Sequence, residues 1–380
     1  MTPADLSLTV LRAVRRAVGD GVLAVRELPS RVTVERPRPG GRGDWATNAA
    51  LQLARPAALP PRQVAEVLRE RLLDVPGIER VDITGPGFLN LTLRPDARAA
   101  AGRLLVQRVR EEGLRYGYGD ALAGLPEEQV RFLLPYGADP RQRVLARTVV
   151  ALLRSQGAPA RLAQADEPQA DEPEVDEPVP GTPQDRTPQP GTPQDRTPQN
   201  AGTPHNADVP HNAAPRALPP HYDLAAVLPP DARRWAMLRP APHDRVLDPG
   251  PLLRLTESSG NGLFTVQYAH ARAAALLRNA ADLGFGPAYD EDVHAPELLA
   301  ALGDHPGVLL AAARQHAPDR LARHLEALAD TFLGFQHTVL PLGDEKPSAA
   351  HRSRLALAEA AGTVLAGGLS LLGVSAPVHL

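Results

Sequence analysis

A chain of 380 residues is too long for one ordinary core, yet 41 prolines and an aromatic content of 4% leave part of it with too little to bury. The absence of cysteine excludes disulfides, thiolate metal sites and a cysteine nucleophile together. The net charge of −3 argues against a nucleic-acid partner only until it is divided along the chain: residues 163–220 hold ten acidic residues and three arginines, and the remainder holds 38 basic residues against 34 acidic ones.

In chain order, Leu6, Val10, Ala13, Val14, Ala17 and Val18 lie on one face of a helix whose wet side carries Arg12, Arg15 and Arg16. Arg31 to Glu35 alternates as a short strand, and Pro37 to Gly43 is a basic turn. Trp45 to Ala54 is predicted to be helical. Pro60-Pro61 restart the chain, and Val64, Val67, Leu68 and Leu72 place the next helix on a core. Ile78 to Ile83 and Phe88 to Leu93 read as antiparallel strands around Thr84-Gly85-Pro86-Gly87, and a helix follows from about Pro95 to Arg110. The order αβααββα predicts a small α+β domain over 1–112, with helices on one antiparallel sheet.

Gln129 to Tyr136 reads as a buried-type strand and Arg141 to Gln156 as a helix ending at Gly157, a strand-loop-helix unit over 126–162. Three Asp-Glu-Pro triplets and two identical nine-residue stretches, 181–189 and 191–199, come next. They contain nothing apolar to bury, so 163–220 is predicted to be a disordered, partly polyproline linker. Beyond it, residues 221–380 read as helix after helix. Leu321, Leu325, Leu328, Phe332, Phe335 and Val339 form one stripe, and Leu355, Ala358, Gly362, Leu365, Leu369 and Leu372 another, stopping at Gly373. These are core stripes of an all-α bundle.

The chain's beginning shows no basic region followed by an apolar stretch, and nowhere do 18 apolar residues run together, so the expected location is cytoplasmic. Lys346 is the only lysine. His243, His270, His294, His305, His316 and His324 have no metal spacing, and no metal is expected. Phe264 to Arg272 opens a helix and crowds Gln267, Tyr268, His270 and Arg272 into six residues; such polar groups commonly satisfy neighbouring backbone or solvent.

Those residues also resemble a known family. Val266 to Arg272 matches seven consecutive positions of the Tyr-Val-Gln-Tyr-Ala-His-Ala-Arg run of arginyl-tRNA synthetases, where the helix leads into the anticodon-binding bundle. Gly43-Asp44-Trp45-Ala46-Thr47-Asn48-Ala49-Ala50 and Gly85-Pro86-Gly87-Phe88-Leu89-Asn90 are similar to two motifs of that family's N-terminal domain, which grips the tRNA elbow. The resemblance implies contact with the D-loop and elbow at Asp44, Asn48, Phe88 and Asn90, the ring stacking a splayed base and the amide reading it. Read from the residues alone, Phe88 is equally a core ring and Asn90 a turn cap. Pro230-Asp231-Ala232-Arg233-Arg234 is similar to the segment ahead of the family's bundle, and Gly367 to Pro377 to its C-terminus. Gln267, Tyr268, His270 and Arg272 then belong to the junction of the anticodon domain, and Ala376, Pro377 and Leu380 to its anticodon stem-loop side. Leu380 stands where the family usually ends in Met, and Gln336 replaces a Tyr.

The strand-loop-helix unit corresponds to the opening of the family's nucleotide-binding core, whose loop carries a His-x-Gly-His element. Here the loop reads Tyr136-Gly137-Ala138-Asp139-Pro140-Arg141-Gln142-Arg143, and a Lys-Met-Ser-Lys-type loop is absent. Arg141 and Arg143 either hold a phosphate or are solvated. The expectation is a tRNA-binding, non-catalytic paralogue with no catalytic residue and no cofactor, ATP entering only if the chain is an active class I arginine–tRNA ligase. Arginine tRNA and a separate catalytic protein are the expected partners. The alternatives are that ligase, a protein-interaction module with a vestigial tRNA surface, and a decayed paralogue without a role.

Overall fold

The computed structural model describes residues 3–25, 29, 32–37, 42–164, 224–247, 249–253 and 261–380. The expected linker lies outside these residues from 165 onward, as does most of the basic turn at 37–43.

Helix α1 (Pro3–Gly19), strands β1 (Val34–Glu35) and β2 (Trp45–Thr47), helices α2 (Ala49–Ala54) and α3 (Pro61–Leu73), and strands β3 (Ile78–Thr84) and β4 (Phe88–Leu93) form the N-terminal α+β domain. Its sheet is antiparallel in the order β1-β2-β4-β3. Leu6, Val10, Val14, Leu53, Leu68 and Leu72 from the helices close over Leu89, Leu91 and Leu93 of β4. The odd-numbered side chains of β4 therefore face the core, and Phe88 and Asn90 face away from it.

The predicted helix from Trp45 to Ala54 is a strand followed by a short helix. Trp45 pairs with Leu91 and Thr47 with Leu89 across the ladder, and the Thr47 hydroxyl donates to the Thr33 carbonyl at 2.7 Å. Only Ala49, Ala50, Leu53 and Ala54 keep a buried helical face. Cross-strand partners remote in sequence thus outweigh local propensity at Trp45–Thr47, and the order becomes αββααββ before the next helix.

Helix α4 (Pro95–Glu112) joins two cores. Ala97 packs against the N-terminal domain, whereas Val106 and Val109 belong to the second core with the bundle. Strand β5 (Arg131–Leu134), helix α5 (Pro140–Ser155) and strand β6 (Arg161–Gln164) follow, with β5 and β6 parallel and in register from Arg131 opposite Arg161 to Leu134 opposite Gln164. Ala163 and Gln164, read as linker, are therefore strand. Nor is β5 the buried strand its apolar run predicts. Leu133 is 63% exposed because, among the described residues, this sheet has two strands and is covered on one face only, by α5 and the bundle.

The rest is helical: α6 (Leu224–Val227), α7 (Pro230–Leu238), α8 (Pro249–Leu252), α9 (Gly262–Asp282), α10 (Pro296–Arg314), α11 (Pro318–Phe335) and α12 (Ala349–Leu372). Asn261 caps α9 by accepting from Phe264 N at 3.1 Å, and Ser348 and His351 form a capping box on α12. Helix α12 is long and apolar enough to cross a membrane, but 78% of its apolar window is buried against α4, α9, α10 and α11, as befits a core helix. Its Ala and Gly residues permit that packing. A Cβ on Gly367 would stand 2.6 Å from the Leu114 carbonyl, and one on Gly368 2.5 Å from the Leu325 side chain. Gly373 ends the helix in the left-handed conformation at φ +67°.

Candidate nucleic-acid interface

The turn between β3 and β4 sets the first candidate surface. Gly87 takes φ +150°, and a Cβ there would meet the Pro61 carbonyl at 2.9 Å, so the turn lies against the start of α3. Phe88 leaves this turn on the face away from the core and is 41% exposed. The core role open to it from sequence is not the one it takes. Asn90 differs: it is 5% exposed, and its Nδ2 donates to the Thr84 hydroxyl at 2.7 Å. Its amide is committed to pinning the turn that presents the ring, which is the turn-fixing alternative.

Asp44 and Asn48 also serve the scaffold. Asp44 Oδ2 accepts from Leu93 N at 2.7 Å and stands 4.0 Å from Arg98, while its own N–H donates to the Leu91 carbonyl. Asn48 accepts from Gln52 at 3.1 Å in an exposed pair at the start of α2. Among the four N-terminal candidates, the Phe88 ring is the group most available to an incoming base. Arg36, which motif reasoning did not single out, lies over the Trp45 ring at 4.8 Å from its centroid.

The second candidate surface is built where the C-terminal tail returns along α9. Gln267 Nε2 donates to the Ser375 carbonyl at 3.0 Å and to Asp231 Oδ2 at 3.3 Å. Asp231 in turn accepts from Ser375 N at 3.2 Å and from the Ser375 hydroxyl. His270 Nδ1 lies 2.8 Å from the Pro377 carbonyl, so that nitrogen carries the proton. Arg234 donates to the Leu372 carbonyl at 2.6 Å, satisfying an otherwise open group at the end of α12. The crowded polar residues are therefore a clamp that fixes Ser375 to Pro377 and leaves Val378 and Leu380 exposed. Asp231 and Arg234 stand in the Pro230 to Arg234 segment that resembles the family, but what they hold is visible only in three dimensions. Phe264 and Tyr268, one turn apart, stack in parallel at 5.7 Å, and Arg272, the next residue in that row, donates to Gln336 Oε1 at 2.6 Å.

Between these surfaces sits the loop before α5. Asp139 accepts from Gln142 N at 2.9 Å and the Gln142 side chain accepts from Asp139 N at 3.0 Å, a capping box that closes the helix start with a carboxylate. Arg141 is 7% exposed and donates to the carbonyls of Met237 at 3.1 Å, Ala241 at 2.9 Å and Asp244. Neither option open from sequence holds for it: it is not solvated, and its donors are spent on the segment after α7. Burial pulls its pKa down, opposed by Asp139 and Asp244. Arg143 is exposed, as a solvated residue would be.

Helix α4 ties the two surfaces into one body. Arg98 reaches Asp292 at 3.4 Å, Arg103 the Tyr289 carbonyl at 3.1 Å, and Arg110 both Glu359 at 2.5 Å and the Pro287 carbonyl at 2.9 Å. Under it, Tyr116 stacks on His305, whose ring centroid is 5.2 Å from that of His324. Burial, with His324 adding to it, pulls His305 down to about 3, and burial pulls His324 to about 4, so both are neutral at pH 7. Among the described residues no group of three or more potential ligands is gathered to hold a metal.

Residues 8–93 match the arginyl tRNA synthetase N terminal domain and residues 266–380 the DALR anticodon binding domain. The chain is 30% identical to an arginine–tRNA ligase of Frankia alni over 554 aligned positions that span all of both proteins. It is 51% identical to that of Kineococcus radiotolerans over 119 residues, 31% of this chain and 21% of that enzyme. With the Renibacterium salmoninarum enzyme it shares 43% over 166 residues, 42% of this chain and 29% of that one. In three dimensions it is similar to an arginyl-tRNA synthetase of Thermus thermophilus, with a TM-score of 0.63 over the whole of both chains at 15% identity, a likeness of fold.

Proposed function

The chain belongs to the arginyl-tRNA synthetase family, and from that premise we propose that it binds tRNA, arginine tRNA by preference, without itself carrying out aminoacylation. The observation that carries this reading is the loop before α5. Where the family carries its His-x-Gly-His element for the phosphates of ATP, the stretch Tyr136 to Arg143 of this chain holds neither histidine, an Asp139 carboxylate is seated on the helix start, and Arg141 is turned inward. A carboxylate at that helix terminus opposes a nucleotide phosphate that would otherwise take its N–H groups. Transfer of an amino acid to tRNA depends on positioning ATP and stabilising the charge that develops on it, and these side chains supply neither. A second support is length: the alignment with the Frankia alni enzyme runs over 554 positions, and a chain of 380 residues fills it only with a large block left open.

What remains suits recognition. The exposed Phe88 ring offers a stacking face to an unpaired loop base, and the clamped tail presents Val378 and Leu380 beside the bundle. The α4 arginines hold both ends in one body, so one RNA can engage both. Its roles would be sequestering tRNA, regulating its use or serving as the binding subunit of a separate enzyme.

Filter binding of the full chain to unmodified arginine-accepting tRNA and to one unrelated tRNA, at low and near-physiological salt, tests the reading. A preference for the arginine tRNA that survives the higher salt is expected. Equal binding to both, erased by salt, overturns it in favour of a protein-interaction module. ATP-dependent pyrophosphate exchange with arginine by this chain alone would instead establish an active ligase and a nucleotide site that the loop before α5 does not account for.

A further inference from the structure

Helix α1 lies on the far side of the N-terminal core from the Phe88 face, and its outer surface is unusually one-signed. It carries Arg12, Arg15 and Arg16 and a single acid, Asp5, a full turn before Thr9. Thr9, Arg12, Arg15 and Arg16 form one wall of a groove whose other wall is Val75, in the connection from α3 to β3; its volume is about 490 Å³.

Among the described residues, most of the donors in this groove are not used inside the protein. Asp20, the acid at the end of α1, is taken by Arg71 at 3.0 Å, and Arg16 spends one donor on the Arg71 carbonyl at 3.1 Å. Among the described residues, neither Arg12 nor Arg15 has a carboxylate or hydrogen-bond partner, although most ion pairs elsewhere in the chain are made by arginine. Arg71, beside them, has its Nε buried without an acceptor. The corner thus holds a surplus of donors and of positive charge. Like charges three and four positions apart on a helix repel one another, and an anion lodged between them relieves that repulsion.

We propose that this α1 groove is a binding site for RNA phosphates, separate from the base-stacking surface at Phe88. Guanidiniums match phosphate oxygens with paired donors, and the groove is open along the helix rather than an enclosed cavity of the kind that holds a small cofactor. Val75 precedes β3 and Phe88 follows the turn at its other end, so groove and ring are separated by about the length of that strand, roughly 20 Å at the usual rise per residue. One folded RNA can therefore place a loop base on Phe88 and backbone phosphates on α1 together. The site fixes the register of the RNA and carries no sequence preference of its own.

This inference rests on the tRNA-binding reading, and the test separates the two. The full chain, the double variant Arg12→Gln/Arg15→Gln and a charge-matched control, Arg62→Gln/Arg108→Gln, are each titrated with arginine-accepting tRNA and with one unrelated tRNA over a range of salt. Both control arginines are exposed and held by glutamates one turn on. Circular dichroism melting checks that all three fold alike. The α1 variant is expected to lose about tenfold in affinity and to flatten the salt dependence by roughly two phosphate contacts, equally for both tRNAs, with the control close to wild type. Wild-type binding with an unchanged slope in the α1 variant, or an equal loss in the control, overturns the α1 site and leaves the tRNA reading standing. No binding by wild type overturns both.

Discussion

Replacing Arg141 with Met removes a guanidinium while keeping most of the apolar stem, and it tests whether this residue is part of the scaffold or of a phosphate site. The guanidinium makes three hydrogen bonds to carbonyls, at Met237, Ala241 and Asp244. Bonds to a charged donor contribute about 1.5–3 kcal/mol each when the partner is left unsatisfied, so the gross loss is at least about 4 kcal/mol. The Asp244 region is exposed, and water can take up part of that loss; the Met237 carbonyl, inside a buried segment of α7, cannot be rehydrated so readily. The guanidinium's own desolvation is also relieved. The expected net loss is about 2–3 kcal/mol. Urea unfolding followed by fluorescence reads it directly, because Trp235 is fully buried in the α7 helix that Arg141 holds, and a Trp45→Phe background makes it the sole reporter. Arg143→Met, on the exposed side, should stay within about 0.5 kcal/mol of the parent. A loss at Arg141 no larger than at Arg143, or a parent midpoint raised by millimolar ATP, would refute the scaffold assignment, since a ligand that binds the native state shifts the midpoint by mass action.

Phe88→Ala should leave the melting temperature nearly unchanged and cost about 1–3 kcal/mol in tRNA binding, the scale of one base stacked on an aromatic ring. Asn90→Ala should instead cost about 1 kcal/mol of stability through the lost bond to Thr84, and a variant pair with the reverse pattern would return Phe88 to the core. Gly367→Ala drives a methyl into the Leu114 carbonyl and should lower stability by about 1–3 kcal/mol in thermal unfolding; no change would mean that α12 and the turn after α4 that carries Leu114 separate without cost. His305 and His324 titrate at about 3 and about 4 when folded and near 6.5 when unfolded, so the unfolded chain binds more protons between those values. Their contribution is complete above about pH 6.5 and is lost as pH falls toward 4, with a slope approaching ~2.7 kcal/mol per pH unit if both protonate on unfolding. His305→Leu combined with His324→Leu should flatten this acid limb; an unchanged limb would place the acid sensitivity in the carboxylates.

Much of the bundle was legible in the sequence because its signal is local. Leu321, Leu325, Leu328 and Phe332 repeat at helical spacing, and Gly373 marks its stop, whatever they pack against. The glycine-rich turn before Phe88 was legible for the same reason. Trp45 to Thr47 was not, since its strand exists only through β4, more than forty residues later. The apolar run of β5 likewise announces burial, but whether a strand is covered on both faces depends on which elements pack above and below its sheet. Motif matching located Gln267, His270 and Arg272 without saying what they touch.

Most helices of the bundle, the stop at Gly373 and the family of both ends could be read from the amino-acid order alone, because they follow from spacings of a few residues or from short runs of identity. Only the tertiary structure decided that Phe88 is exposed while Asn90 is committed to Thr84, and that Arg141 is buried. It also decided that the polar residues of α9 hold the tail, and that α4 fastens the two RNA-facing ends together. Each of those outcomes depends on a partner tens to hundreds of residues away, and a side chain's hydrogen-bonding capacity is the same on paper whether that partner is solvent, backbone or ligand.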